Sequence, residues 1–295
     1  MTQDHKLRTY QSALVVITGG ASGIGRALGE ALALRGAEVV LADRQIELAE
    51  TVAAGLRGRG GRATAVEVDV TDYCALEQVV RQTAEKHGRL DYMFNNAGIG
   101  ITGEACYYDI KDWEQVFDVN IRGVINGIQA AYPIMLRQGY GHIINTASMA
   151  GLMPTPALVS YCASKYAVVG VSLSLRIEAA EAGVRVSVLC PGTIRTPILE
   201  GGKYGKSLQA LPPEAWEKLL NRQRPMNVDK FAAQALGAIA KNRAIIIFPR
   251  YWRIFWWLNR LSPSLALYVG KKAFGVWQRM CQEHLPATKE VVKPS

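Results

Sequence analysis

Hydrophobic and polar positions along this chain alternate between two rhythms. Short apolar runs lie at 13–17 (ALVVI), 38–42 (EVVLA), 64–68, 91–95, 142–146, 185–189 and 244–248 (AIIIF). Compact runs of this kind, bounded by turn residues, suit strands buried on both faces. Between them apolar side chains return every three or four positions, as in 25–35 with Ala27, Leu28, Ala31 and Leu32, and again in 72–86, 113–136 and 161–182. That spacing predicts amphipathic helices. Strands alternating with helices imply parallel pairing through right-handed crossovers. The expected class is α/β, a doubly wound, mostly parallel seven-stranded sheet with helices on both faces.

The rhythm breaks twice. Residues 197–227 are rich in Gly, Pro, Lys and Gln and read as a long segment inserted before the last strand. Long irregular insertions in compact domains are commonly lids. Residues 249–295 run past the last strand and are aromatic and basic, with Ser262 and Pro263 spaced as the N-cap and first residue of a further helix. We therefore expect one domain over 12–248, with a substrate lid at 197–227, and a C-terminal helical extension over 249–295.

Composition narrows the class. With 49% hydrophobic and 20% charged residues, the chain has ample material for one large core. Its five Cys include no C-x-x-C pair, which points to a reducing, cytoplasmic compartment rather than a disulfide framework. The four His are far apart in sequence, and no metal site is expected. The net charge of +9 comes without zinc-finger spacing or an aromatic RNA-binding signature, so no nucleic-acid partner is expected. No signal-like stretch opens the sequence, and no apolar run approaches the roughly 20 residues that span a bilayer.

The first strand ends in Thr18-Gly19-Gly20-Ala21-Ser22-Gly23-Ile24-Gly25, and a helix starts at once. Gly at 19, 23 and 25 lets backbone approach a pyrophosphate, and the helix N-terminus offers free N–H groups to that anion. Asp43 closes the second strand, where a carboxylate can accept hydrogen bonds from an adenosine ribose and repel a 2′-phosphate. NAD is the expected cofactor. Arg44 follows immediately and keeps NADP as the alternative.

These residues, with others downstream, resemble the short-chain dehydrogenase/reductase family, in the branch with a T-G-x-x-x-G-x-G turn. The similarity runs over about 12–248. Asp69-Val70 is similar to the pair beside the adenine, and Asn95-Asn96-Ala97-Gly98 to the family's N-N-A-G motif. Pro191-Gly192, with Ile194 and Thr196, resembles the P-G-x-x-x-T segment that holds the nicotinamide carboxamide. Asn120, Ser148, Tyr161 and Lys165 match the family's catalytic four. The resemblance implies a Rossmann fold, hydride transfer between NAD(H) and an alcohol or ketone carbon, and a homodimer or homotetramer. It also implies that Lys165 holds the nicotinamide ribose and that Asn120 anchors a water linking Lys165 to solvent.

The residue types suit that chemistry. Tyr161 and Lys165 are four apart on an expected helix and share a face. A free Tyr titrates near 10, too high for easy base work at neutral pH. A neighbouring ammonium and a cationic nicotinamide are expected to lower it. Ser148, just past the fifth strand, can orient a substrate oxygen. Met149, Leu152, Met153, Pro154, Leu158 and Val159 lie between Ser148 and Tyr161 with no Arg or Lys among them. We expect a hydrophobic substrate touching Ser148, Met149, Met153 and Tyr161, or else side chains that only pack the sheet edge.

The tail leaves two readings open. Trp beside Arg and Lys over 250–281 suits a peripheral contact at a membrane surface. It suits equally a cover for the substrate pocket or an oligomer contact. For the whole chain, two alternatives to an active oxidoreductase are an NAD-binding redox sensor without turnover and a membrane-docked scaffold. Neither requires all of Asn120, Ser148, Tyr161 and Lys165. The Gly spacing and the short substrate segment argue against a sugar-nucleotide epimerase.

Overall fold

A computed structural model describes residues 6–199, 204–209 and 211–284. Those parts of the 197–227 segment and of the 249–295 extension that fall elsewhere lie outside the described residues. The central sheet holds β1 (Leu14–Thr18), β2 (Glu38–Asp43), β3 (Arg62–Glu67), β4 (Tyr92–Asn95), β6 (Gly141–Thr146), β7 (Val184–Pro191) and β9 (Ile245–Phe248). Their order is β3-β2-β1-β4-β6-β7-β9, and every neighbouring pair is parallel. Each strand coincides with one of the seven apolar runs to within two residues at either end. The fold is the doubly wound arrangement expected, followed by two C-terminal helices.

Apolar strands need cover on both faces, and two buried clusters supply it. Helices α1 (Gly23–Ala33) and α8 (Val228–Ala240) close one face, where Ile17, Leu28, Phe94, Phe231 and Leu236 are buried together. On the other face, α3 (Tyr73–His87), α5 (Gly123–Gln138) and α6 (Val159–Glu178) pack Leu76, Met93, Met135, Ile143 and Val168 into one core. The helix α2 (Ile46–Gly58) buries only Ala49, Ala53 and Leu56.

The chain order leaves a crevice where connections diverge from β1 and β4 to opposite sides of the sheet. Ligands bind at such switch points, beyond the carboxyl ends of the strands. Every motif identified from sequence stands on that edge.

Three features depart from the expected elements. The helical stretch 113–136 is not continuous: α4 (Ile110–Phe117) passes through a π-helical turn at Asp118–Arg122 before α5 begins. A π-turn inserts an extra residue, which re-aims one side chain. Here that side chain is Asn120, fully buried. Secondly, β5 (Gly100–Thr102) and β8 (Gly205–Ser207) form a small parallel sheet of their own, joining the loop after β4 to the 197–227 segment. That segment also contains the helix α7 (Pro213–Arg222). Thirdly, the tail folds as α9 (Trp252–Leu261) and α10 (Pro263–His284), with Leu265 N donating to Ser262 Oγ at the start of α10.

Candidate active site

The turn after β1 is shaped by two glycines. Gly19 has φ +66°, a left-handed conformation that side chains rarely adopt. Gly25 has ordinary dihedrals, but a methyl there would lie 2.1 Å from Gly19 O and 2.6 Å from Asn96 Nδ2. Ser22, at the N-cap of α1, makes no side-chain capping bond, so the first N–H groups of the helix face outward. Ile24 lies in that first turn and packs against the core. The absence of Cβ atoms and the open helix end make a cradle that fits a pyrophosphate.

Neighbouring motifs brace this turn. Thr18 Oγ1 accepts from Asn96 N at 2.9 Å and from Ala97 N at 3.1 Å, while Asn96 Nδ2 donates to Thr18 O at 3.1 Å. Thr196 approaches from the far side, its Cβ 3.5 Å from where a Gly23 methyl would sit. Ile194, buried, bridges to Met226. Asp43 is 6% exposed; Oδ2 accepts from Ala21 N and Oδ1 from Gln45 N, each at 2.9 Å. It ties the end of β2 to the glycine turn, and Gln45 rather than Asp43 occupies the N-cap position of α2, without a side-chain capping bond. Arg44, next in the chain, is exposed. Asp69 is exposed too and accepts from Thr71 N and Oγ1, while Val70 is buried and its carbonyl accepts from Asn126 Nδ2 at 2.8 Å.

The four residues expected to act together do converge. Lys165 Nζ, almost fully buried, donates to Thr146 O at 2.9 Å and lies 5.3 Å from the centre of the Tyr161 ring. A methyl on Gly98 would come within 3.4 Å of that Nζ, so the N-N-A-G loop forms the wall beside it. Ser148 caps a short turn, its Oγ accepting from Ala150 N at 3.1 Å and facing Pro191 O at 3.5 Å. Its hydroxyl lies near enough to the Tyr161 phenol to favour the ionised form.

Asn120 spends its amide inside the protein: Oδ1 accepts from Ile99 N at 2.9 Å, and Nδ2 donates to Ile99 O and Ser164 Oγ, each at 3.0 Å. Ser164 Oγ donates in turn to Tyr161 O at 2.7 Å. No sequence signal beyond the four-residue spacing marks Ser164 as the link between Asn120 and Tyr161.

Electrostatics depart from the simple expectation for Tyr161. Burial pushes its phenol up to about 12, and the nearby Ser148 hydroxyl only partly offsets this. Burial also pushes Lys165 down to about 8. In the protein alone, desolvation therefore outweighs the neighbouring ammonium, and the phenol is neutral at pH 7.

Side chains expected to line the substrate pocket divide into two groups. Met149 and Leu152 are buried in the core with Val169, Cys190 and Ile247, so they pack the sheet edge. Met153 is half-buried at the rim, and Pro154 and Val159 are exposed.

The outer wall of the site comes from the tail. Trp252 stands on Gly192, where a methyl would fall 2.1 Å from Trp252 Nε1. Asn259 Nδ2 donates to Leu152 O at 3.0 Å, and Gln278 Nε2 donates to Glu104 Oε2 at 2.9 Å. Trp277 and Cys281 are buried with Ala157, against Leu211 and Leu219 of the inserted segment.

The model of the family described as short chain dehydrogenase matches residues 13–204, about two-thirds of the chain. The chain belongs to that family. Among similar members, a meso-2,3-butanediol dehydrogenase of Serratia marcescens is 38% identical over 192 residues, covering 65% of this chain and 75% of its own. An oxidoreductase UcpA of Salmonella typhimurium is 38% identical over 63% of this chain and 70% of its own. A short-chain dehydrogenase/reductase from Burkholderia phymatum, solved in complex with NAD, superposes with a TM-score of 0.76 at 30% identity, covering 88% of this chain and 96% of its own. A levodione reductase gives 0.73 at 28% identity, over 81% and 96%. The short-chain dehydrogenase model ends before most of the inserted segment and both tail helices. Like its relatives, the chain is an oxidoreductase of this family acting on a small molecule.

Proposed function

We propose that the protein transfers a hydride between NAD(H) and the CH–OH or C=O carbon of a hydrophobic alcohol or ketone, with Tyr161 as acid and base. The observation that carries this reading is the convergence of Tyr161, the nearby Ser148 hydroxyl and the buried Lys165 on the wall formed by Gly98.

The residues present fit a dinucleotide. Gly19, Ser22, Gly23, Ile24 and Gly25 would hold the pyrophosphate; Asp43 the adenosine ribose; Asp69 and Val70 the adenine side. Asn96, Ala97 and Gly98 would flank the nicotinamide half, with Pro191, Gly192, Ile194 and Thr196 opposite. Bound NAD supplies a hydride acceptor, and NADH a donor.

The protein's own groups manage the proton. With its phenol raised to about 12, Tyr161 is protonated at neutral pH and ready to donate to a ketone oxygen. Taking a proton from an alcohol needs added positive charge near the ring, which Lys165 supplies in part from 5.3 Å. Ser148 Oγ orients the substrate oxygen beside the Tyr161 hydroxyl. Asn120 is a positioning residue, locking Ile99 to the turn of α6 that carries Tyr161. Carboxylate charge at Asp43 favours NAD over NADP. Exposed Ile125 and Leu136 on α5, with Tyr166 and Ile177 on α6, supply apolar faces for a homo-oligomer.

The test follows reduced-nicotinamide absorbance with hydrophobic ketones and secondary alcohols. Tyr161→Phe should lower kcat by roughly 10²–10⁴-fold, the usual contribution of a positioned acid–base group, while NADH affinity is retained. Turnover in the variant equal to that of the wild type would end this assignment.

A further inference from the structure

Helix α9 carries two apolar faces, and only one is used by the fold. Trp252, Trp256 and Asn259 point inward, onto Gly192 and the Leu152 loop. On the opposite side, Ile254, Trp257, Leu258 and Leu261 follow the i, i+3, i+4, i+7 spacing of a continuous stripe and are 43% to 78% exposed. Beyond Ser262 the first turns of α10 expose further large apolar side chains, Leu265, Tyr268 and Val269, at 47% to 59%. Large side chains spaced this regularly over two successive helices form a patch, whereas single exposed apolar residues are ordinary.

Charge identifies the occupant. Arg250, Arg253, Arg260, Lys271, Lys272 and Arg279 lie within this tail, and no Asp or Glu occurs from residue 230 to residue 282. Arg253 and Arg260 lie seven residues apart along one flank of α9, and Lys272 stands over the Tyr268 ring at 5.5 Å. Two copies of this face would bring cations against cations with no acid to pair them. The stripe is built of Ile, Leu, Val, Trp and Tyr, with little hydrogen-bonding capacity to specify a folded partner. An apolar stripe bordered by Arg and Lys, with Trp and Tyr among its side chains, matches the interface of an anionic phospholipid bilayer.

We propose that α9 and the first half of α10 dock the protein on the surface of an anionic membrane, both helices lying in the headgroup plane. No helix among the described residues is long and apolar enough to cross it. The docked helices also hold the segment between Ser148 and Tyr161, through Asn259 on Leu152 and Trp277 on Ala157. Resting on the hydride-transfer reading above, this position suits an alcohol or ketone that partitions into the bilayer.

The experiment is sedimentation of the full chain with vesicles of phosphatidylcholine alone or mixed with phosphatidylglycerol. The wild type should pellet with the mixed vesicles and be released by salt. Trp257→Ser with Leu261→Ser should lower partitioning at least tenfold, and neutralising Arg253, Arg260, Lys271 and Lys272 should lower it roughly fivefold per cation on the anionic vesicles. Thermal unfolding and NADH binding of these variants should stay at wild-type values, showing an intact fold. Wild type left in the supernatant overturns the proposal, as do stripe variants that pellet fully. So does gel filtration in which Leu261→Ser splits an oligomer while no lipid binding is found, because the face then belongs to a second copy. Sedimentation needs no turnover: Tyr161→Phe should pellet like the wild type. Retained activity in that variant would sink the chemical reading and leave the docking result standing.

Discussion

The glycine turn makes a quantitative claim that one methyl group can test. In Gly25→Ala the new carbon would meet Gly19 O at 2.1 Å and Asn96 Nδ2 at 2.6 Å, where ordinary contacts begin near 3.4 Å. The obstacle is a backbone oxygen, so relief requires the turn itself to open by more than an ångström. Forced overpacking of this kind costs about 1–3 kcal/mol. The same movement separates the backbone amides that would hold a pyrophosphate. We therefore expect the NADH dissociation constant, measured by calorimetry, to rise about tenfold or more, with a lower unfolding midpoint. Gly55→Ala is the control: nothing lies within 4 Å of that position on α2. Removing an unneeded glycine from a helix should there stabilise by up to about 1 kcal/mol. The reasoning fails if Gly25→Ala binds NADH with unchanged affinity and melts like the wild type.

Other consequences follow from buried charge. His142 is 1% exposed, and burial pushes it down from 6.5 to about 3. Ser187 Oγ gives its own proton to Arg243 O at 2.7 Å, so His142 Nε2 is the donor in their 2.9 Å bond and the ring is neutral. Because the folded value is depressed, this contribution to stability is complete above 6.5 and is lost as pH falls from 6.5 towards 3, by a few kcal/mol as an order of magnitude. Urea titrations at pH 7 and pH 5 should show that loss, and His142→Gln should flatten it; an equal slope in the variant refutes the assignment. Asp91 is fully buried, accepting from Leu14 N at 2.9 Å and Arg8 N at 3.2 Å and pairing with Arg89 at 2.5 Å. Asp91→Ala should cost about 3–5 kcal/mol, read from the denaturation midpoint. Asp43→Asn should shift the ratio of kcat/KM for NAD over NADP at least roughly tenfold towards NADP, since a carboxylate facing a phosphate is costly. Alcohol oxidation should accelerate with rising pH through the neutral range, as Tyr161 is otherwise held protonated; a flat profile with chemistry rate-limiting would contradict its raised value.

The sheet was legible because every strand but the edge strand β3 is mostly buried on both faces, so the apolar run and the strand nearly coincide. The motifs were legible because chemistry in this architecture collects at strand ends, which sequence already marks. What escaped was set by contacts distant in sequence. The three-residue strands β5 and β8 carry no local pattern and exist only through each other. The π-turn leaves the apolar periodicity of 113–136 almost intact, yet it turns Asn120 into the protein, where its amide meets both polar groups of Ile99. Met149 and Leu152 look like pocket residues from their place after Ser148, but the end of β7 draws them into the core.

The tail shows how far an amphipathic pattern can be read. A helix with two apolar faces gives no sequence sign of which one the fold will bury. Trp252, Trp256 and Trp257 are equivalent as letters, and their difference arises because Gly192 leaves room for one indole and the Leu152 loop offers an acceptor to Asn259. Once those contacts fix the rotation of α9, the remaining stripe must face outward, and the charge around it selects what it can meet. The burial that raises Tyr161 to about 12 belongs to the finished tertiary structure. Helical spacing alone gave Lys165 as a neighbour lowering the phenol, and it left out the low-dielectric enclosure that reverses the sign. On the proposed reading, the family pattern specifies the reacting groups, and the segments beyond residue 204 govern what reaches them.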